Sequence, residues 1–171
     1  MEADEDAKQA FVESLKNEKK ENIVYVDETG FDEHLYREYA FSKRGQRVIA
    51  KIPGKKLKRL SLVAALCNGK ILAPFGYSGT GDSNVFHTWV EKVLLPQLKP
   101  GQIIIMDNAK IHKSEKTKEL IKSVGCELRF LPPYSPDLNP IEHTWASIKQ
   151  KIRSIIDDFV SIDRALAYIF S

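Results

Sequence analysis

No stretch of this chain approaches the roughly 18 consecutive apolar residues of a membrane-spanning helix. Its opening, "MEADEDAK", is acidic where a secretory n-region is basic. Cysteine is scarce: Cys67 and Cys126 each lie in an apolar, strand-like run. Neither a disulfide framework nor a zinc-spaced cluster can be built from them. They are expected to be buried free thiols in a reducing, intracellular compartment. A glycine-rich phosphate loop and a nucleophile elbow are also missing, which removes two common routes to phosphoryl and acyl chemistry. Acid is absent where base is densest: residues 42–59, "SKRGQRVIAKIPGKKLKR", hold eight bases and no acid.

What is present is ordinary globular material. Of 171 residues, 43% are hydrophobic and 29% charged, enough for one domain with a real core. The net charge of +3 hides a polarity, because residues 1–21 carry seven acids and four bases. The basic block is either a solvated loop or a phosphate-contacting surface formed by Lys43, Arg44, Arg47, Lys51, Lys55, Lys56, Lys58 and Arg59.

Periodicity predicts a helix over Asp4–Lys20 and a buried strand in "NIVYVDETGF". Residues 35–52 read as extended segments around a turn at Gly45. Two further strands, "LKRLSLVAALC" and "KILAPFGY", meet at Asn68-Gly69, a two-residue hairpin signal. A helix over Ser83–Leu95, ended by Pro96, precedes the strand "QIIIMDN". Ser114 caps a helix closed by Gly125, and "CELRFL" is another strand. The last two helices are striped by Ile141, Trp145, Ile148 and Ile152, and by Phe159, Ile162, Leu166 and Ile169, the latter starting at Asp157 or Asp158. Both tryptophans, Trp89 and Trp145, fall on core stripes. This alternation implies the α/β class, a mixed sheet with helices on its faces. The expected division is an acidic helix over 1–21, a main domain over 22–156 and a C-terminal helix over 157–171.

Three acids share a setting. Asp27 ends the first strand in "VYVDETG", Asp107 ends a later one in "IIIMDNAKIH", and Glu142 opens a helix in "LPPYSPDLNPIEHTW". Carboxylates beyond strand ends would form an oxygen-rich pocket suited to Mg²⁺ or Mn²⁺. Each acid also has a plainer reading. Asp27 can close a strand-turn, with Glu28 the rival ligand. Asp107-Asn108 can be an Asx turn. Glu142 can complete a capping box in which Asn139 caps the helix and Pro140 takes its first position. Asp32, Asp82 and Asp137 read as turn residues.

Together "VDETGF", "MDNAKIH" and "PPYSPDLNPIEHTW" resemble the three signature segments of the mariner-like superfamily of DDE transposases. They are most similar to its bacterial insertion-sequence branch, which shows the same interval of 34 residues between the second and third acids. The resemblance spans roughly Asn22 to Arg153. It implies an RNase H-like fold, two Mg²⁺ or Mn²⁺ ions, and DNA strand cleavage followed by 3′-hydroxyl strand transfer. It maps catalysis and metal binding onto Asp27, Asp107 and Glu142, with Asp27 bridging and the others holding one ion each. It implies transposon ends and target DNA as partners, a homodimer, and a prokaryotic, cytoplasmic, nucleoid-associated setting. Asn108 is expected to orient Asp107 or contact a phosphate. His112 is expected to approach the DNA or the leaving group, and His143 to lie beside the DNA; for Asn108, His112 and His143 alike, a solvated or packing residue is the plainer alternative. Tyr134 and Ser135 read as loop structure or DNA-backbone contacts. The family's helix-turn-helix modules have no counterpart ahead of the first strand; a catalytic-domain fragment, the downstream product of a split reading frame with an upstream helix-turn-helix polypeptide as partner, and a decayed copy are the open readings. A non-catalytic nucleic-acid-binding remnant and a stand-alone RNase H-like nuclease are the rival readings.

Overall fold

A computed structural model of the chain describes residues 5–32, 59–79 and 81–171. Five strands form one mixed sheet: β1 (Ile23–Asp32), β2 (Arg59–Cys67), β3 (Lys70–Ser78), β4 (Ile103–Met106) and β5 (Glu127–Phe130), in the order β3-β2-β1-β4-β5. The β3-β2-β1 half is antiparallel and the β1-β4-β5 half parallel. The β2–β3 hairpin turns through Asn68 and Gly69, both at positive φ (47° and 75°), the pairing a primed turn requires. Ala73, also at positive φ, sits in a bulge of edge strand β3. Its amide donates to Gln97 Oε1 (3.2 Å), and its carbonyl accepts from Trp89 Nε1 (2.8 Å).

Strand alternation sorts the core by face. Val24, Val26, Val63, Ala65, Ile104 and Met106 pack against Phe86 and Trp89 of α2 (Ser83–Trp89) and its continuation, and against Ile121 of α3 (Glu115–Ser123). On the other face Phe31, Leu62, Ala64 and Leu66 meet Ile141, Trp145, Ile148 and Ile152 of α4 (Ile141–Ile155). Ile162 and Leu166 of α5 (Ile162–Phe170) join the same cluster. Beside it, Phe11 and Leu15 of α1 (Glu5–Leu15) cover Ile103, Ile105 and Leu131. Helices thus cover both faces, as expected. Among the described residues no helix is long and apolar enough to cross a membrane.

Several boundaries move. α1 is shorter than its periodicity suggested. α2 passes into a π turn at Val90–Leu94 and a 3-10 turn at Leu95–Gln97. Pro96 therefore opens that last turn, where its missing N–H is not needed, rather than ending the helix. The last helix begins at Ile162, because Ser161 caps it and Asp157 and Asp158 fall in a 3-10 turn that extends α4. Asp27 does not end its strand. Pairing with β2 runs on to Asp32↔Arg59 and keeps β1 extended past the end of β4. Gly45 and residues 35–52 lie outside the described residues.

Candidate active site

The parallel pairing of β1 and β4 stops at Tyr25↔Ile105. Carried two residues further, that register sets Asp27 beside Asp107, on the face covered by α4. β4 stops at Met106 while β1 continues, so a cleft opens where the strands part. Its remaining wall is the proline-rich loop after β5 and the first turn of α4. The cleft has a volume of about 400 Å³, and its lining includes Asp27, Asp107, Asn108, Tyr134, Asn139 and Glu142.

Asp27 is buried, only 9% exposed. Its Oδ1 accepts the Glu28 amide (2.8 Å), and its Oδ2 accepts from Trp145 Nε1 (3.2 Å) and Asn139 Nδ2 (3.4 Å). Burial pushes its pKa up to about 6. The Glu28 and Trp145 hydrogen bonds work against the rise, while the negative charges of Glu142 and Asp107 add to it. Glu28, the rival ligand, alternates to the opposite face, where it accepts from the Tyr77 hydroxyl (3.2 Å).

Asp107 is half exposed. Its Oδ1 accepts the Ala109 amide (2.8 Å), so the Asx turn does form, and also accepts from His112 Nδ1 (2.5 Å). The His112 hydrogen bond holds its pKa below the ordinary carboxylate range, with burial opposing. An ionised carboxylate only accepts, so the imidazole proton sits on Nδ1. The turn uses one oxygen and leaves Oδ2 to the cleft.

The capping box at Glu142 does not form. Asn139 is turned inward, 4% exposed, and spends its amide nitrogen on Asp27, while its buried Oδ1 has no protein partner. Pro140 holds the cap position, and no side chain caps the helix. Glu142 joins Asn139 only through the backbone, its amide donating to the Asn139 carbonyl (3.1 Å). Its side chain is exposed at the cleft, one position and about 100° round the helix from buried Ile141.

The neighbouring residues separate. His112 is 2% exposed, packs on the Phe86 ring (centroids 4.6 Å apart) and has no partner for Nε2. In this position it takes the packing role the sequence also left open, donating to Asp107 rather than standing open at the cleft. Asn108 does not orient Asp107 either. It donates to the Leu131 carbonyl, tying the end of β4 to the loop after β5, and still lines the cleft. His143 is exposed beside Glu142. Asp82 caps α2, and Asp137 accepts from Lys8 Nζ of α1 (3.2 Å). Cys67 is half-buried rather than buried, and Cys126 is buried; both thiols are free. Lys43, Arg44, Arg47, Lys51, Lys55, Lys56 and Lys58 lie outside the described residues, and of Arg59 only the backbone, opening β2, is described. The sequence reading missed Asn139 and Trp145 as partners of Asp27. The available signal was chemical: Trp145 puts an N–H on an otherwise apolar stripe, and a buried indole N–H needs an acceptor.

Among the described residues the cleft's charged lining is three carboxylates, with no Lys, Arg, His or Cys. Asp107 Oδ2, Glu142 and the unpartnered Asn139 Oδ1 leave oxygens free. Such hard, anionic donors suit Mg²⁺ or Mn²⁺ and not a thiol- or imidazole-seeking metal. Among the described residues no three acidic, His or Cys side chains converge on one point.

Residues 22–163 match the family model described as DDE superfamily endonuclease. The chain is 31% identical over 72 residues to the Tc1 transposable-element transposase of Caenorhabditis elegans, a stretch covering 42% of this chain and 26% of that protein. It is 39% identical over 49 residues to the Tcb2 transposase of Caenorhabditis briggsae, covering 29% and 18%. Among solved structures it resembles the Mos1 mariner paired-end complex with Mn, with a TM-score of 0.74 at 18% identity over 96% of this chain and 52% of that one. The chain thus spans about a quarter or less of the sequence relatives and about half of that structure's chain. The fold is that of the RNase H-like transposase catalytic domains.

Proposed function

The chain belongs to the DDE superfamily endonuclease family, and from that premise we propose that it is a transposase catalytic domain, cutting a DNA strand and joining the new 3′-hydroxyl to target DNA. One observation carries the reading: three carboxylates, from a strand, the end of another strand and a helix far apart in sequence, line one cleft with no compensating base among the described residues. Asp27, Asp107 and Glu142 would hold two divalent ions. The similar Mos1 complexes are described with Mn and with Mg. What such a pair supplies when bound is an activated oxygen nucleophile and charge relief at the leaving oxygen.

The protein's own residues do the rest. Trp145 and Asn139 fix the Asp27 carboxylate in one orientation, and the Glu28 amide holds its other oxygen. His112 and the Ala109 amide hold Asp107 through Oδ1, which leaves Oδ2 unclaimed. The prolines stiffen the approach to α4, so Glu142 is delivered at a set height at low entropic cost. The basic block 42–59 would contact phosphates, a role supported by its eight bases and lack of acid. Placement in the bacterial insertion-sequence branch rests on the 34-residue interval. Transposon-end DNA, a paired-end dimer and an upstream helix-turn-helix polypeptide are the partners this reading assigns. A supercoiled-plasmid assay tests it: nicking with Mg²⁺ or Mn²⁺, and strand-transfer products from a pre-cut end, are expected. Binding without nicking would make the chain a nucleic-acid-binding remnant, and nicking without transfer a nuclease.

A further inference from the structure

Tyr134 stands on the wall of the acidic cleft and is 70% exposed. Its φ is +55°, a left-handed conformation that glycine or asparagine takes readily and a bulky residue does not. The backbone around it is fastened on both sides. Pro132 and Pro133 precede it, and Pro136 follows Ser135. Buried Ser135 donates its hydroxyl to the Pro133 carbonyl (3.1 Å) and accepts the Leu138 amide on its own carbonyl (3.2 Å). Lys8 holds Asp137, and Asn108 holds Leu131. Among the described residues no hydrogen bond or ring contact engages the Tyr134 side chain. The fold thus keeps a costly backbone conformation to present a rigid aromatic ring that its own packing does not use.

The chemistry of the cleft says what such a ring can hold. A phosphodiester approaching Asp27, Asp107 and Glu142 meets three acids, and among the described residues no Lys or Arg lines the cleft. Stacking is a contact that carries no charge, and every nucleobase offers a flat face for it. We propose that Tyr134 is a substrate-positioning residue that stacks on the base of the nucleotide next to the scissile phosphate. Bases inside an intact duplex present edges and not faces, so that nucleotide must be unpaired or terminal when it is held. The proposal rests on the reading that this cleft acts on DNA.

The test uses the full chain in Ca²⁺ with a duplex bearing a single-stranded 3′ overhang. 2-Aminopurine, or an abasic sugar, is placed in turn at each overhang position. Tyr134→Leu is expected to weaken binding about 5- to 150-fold, the worth of one stacked base, and to abolish the 2-aminopurine quenching seen with the parent protein. Tyr134→Phe should keep both. Tyr134→Gly, which suits the backbone, should lose binding as Tyr134→Leu does while melting no lower than the parent. One abasic position should weaken the parent by a similar factor and leave Tyr134→Leu unchanged. Parent-like binding and quenching in Tyr134→Leu overturn the proposal. Equal loss in Tyr134→Phe and Tyr134→Leu also overturns it, since it would assign the hydroxyl to a phosphate. Plasmid nicking measured in parallel separates the two readings. Nicking with no Tyr134→Leu effect sinks the stacking alone. Stacking without nicking sinks the catalytic reading alone. A parent that binds no overhang sinks both.

Discussion

Asp27 and Asp107 line the same cleft, each two residues beyond the last β1–β4 pair, yet the protein treats them in opposite ways. Asp27 lies inside a strand, buried, and accepts three hydrogen bonds, but burial still raises its pKa to about 6. Asp107 lies just past a strand, half exposed, and His112 lowers its pKa. The contrast comes from the sheet. β2 escorts β1 beyond the end of β4, so one carboxylate is enclosed while the other stands at an opening. The lesson is a division of labour. Asp107 is kept charged by a neighbour of its own, whereas Asp27 carries an electrostatic cost that a bound cation would relieve.

The hardest blow to the comparison is to remove each charge. Asp107→Asn and Asp27→Asn are both expected to lower plasmid nicking by more than the roughly 100-fold that losing an outer partner of a metal ligand costs. Parent-rate nicking by either would remove that residue from the metal-holding set. They should differ in structure. Asn at 107 can keep its carbonyl toward Ala109 and His112 and place its NH₂ at free Oδ2. Asn at 27 must turn a donor toward the Glu28 amide or toward Trp145 and Asn139.

The second test is pH. Asp27 binds its proton more tightly in the folded than in the unfolded chain. Its contribution to stability is therefore fully present below about pH 4 and is lost as pH rises to about 6, by about 3 kcal/mol at most. Asp107 has the reverse sign: its contribution is present above the ordinary carboxylate pKa and fades as pH falls below it. Metal-free melting temperature should drop between pH 4 and 6 in the parent and in Asp107→Asn, and flatten in Asp27→Asn. Mn²⁺ should raise the melting temperature more at pH 7.5 than at pH 5. A slope that survives in Asp27→Asn would assign it to another group.

Third, His112→Asn, which can still offer an N–H, should nick about 10-fold more slowly than the parent, and His112→Phe about 100-fold. Equal rates for the two variants would mean that His112 only fills space under Phe86. The smallest effect concerns Glu142. Since no capping box forms, Glu142→Gln should change stability by less than about 0.5 kcal/mol, while calorimetry shows weaker Mn²⁺ binding. A large stability loss with unchanged Mn²⁺ affinity would return Glu142 to a helix-start role.

Local features were legible in the sequence. The Asn68-Gly69 turn, the Ser114 cap and the buried stripe of Ile141, Trp145, Ile148 and Ile152 depend on residues within a few positions of one another. The three acids stand in separate motifs far apart in sequence; each motif was readable on its own, and the cleft they share is made by the sheet and α4. What escaped was the allocation of polar groups over long distances. Asn139 had two suitors, the amides of α4 and a carboxylate 112 positions away, and the buried carboxylate took it. Local pattern could not reveal that His112 would fold inward onto Asp107. The start of α5 shifted because the chain left α4 through one more tight turn before Ser161 could cap it.

The parting of β1 and β4 also bears on the order of assembly. β2 and β3 are joined by two residues, whereas Ile23 must find Ile103 across the whole hairpin and α2 before the parallel pair exists. Loop-closure entropy makes such distant pairings slow to form. The hairpin is therefore expected to precede β1–β4, and the edge of β1 that later receives β4 stays open meanwhile. An open edge of that kind, carrying Ile23 and Tyr25, is a template for another chain. The junction that creates the cleft in the finished molecule is thus where the nascent one is most exposed to aggregation.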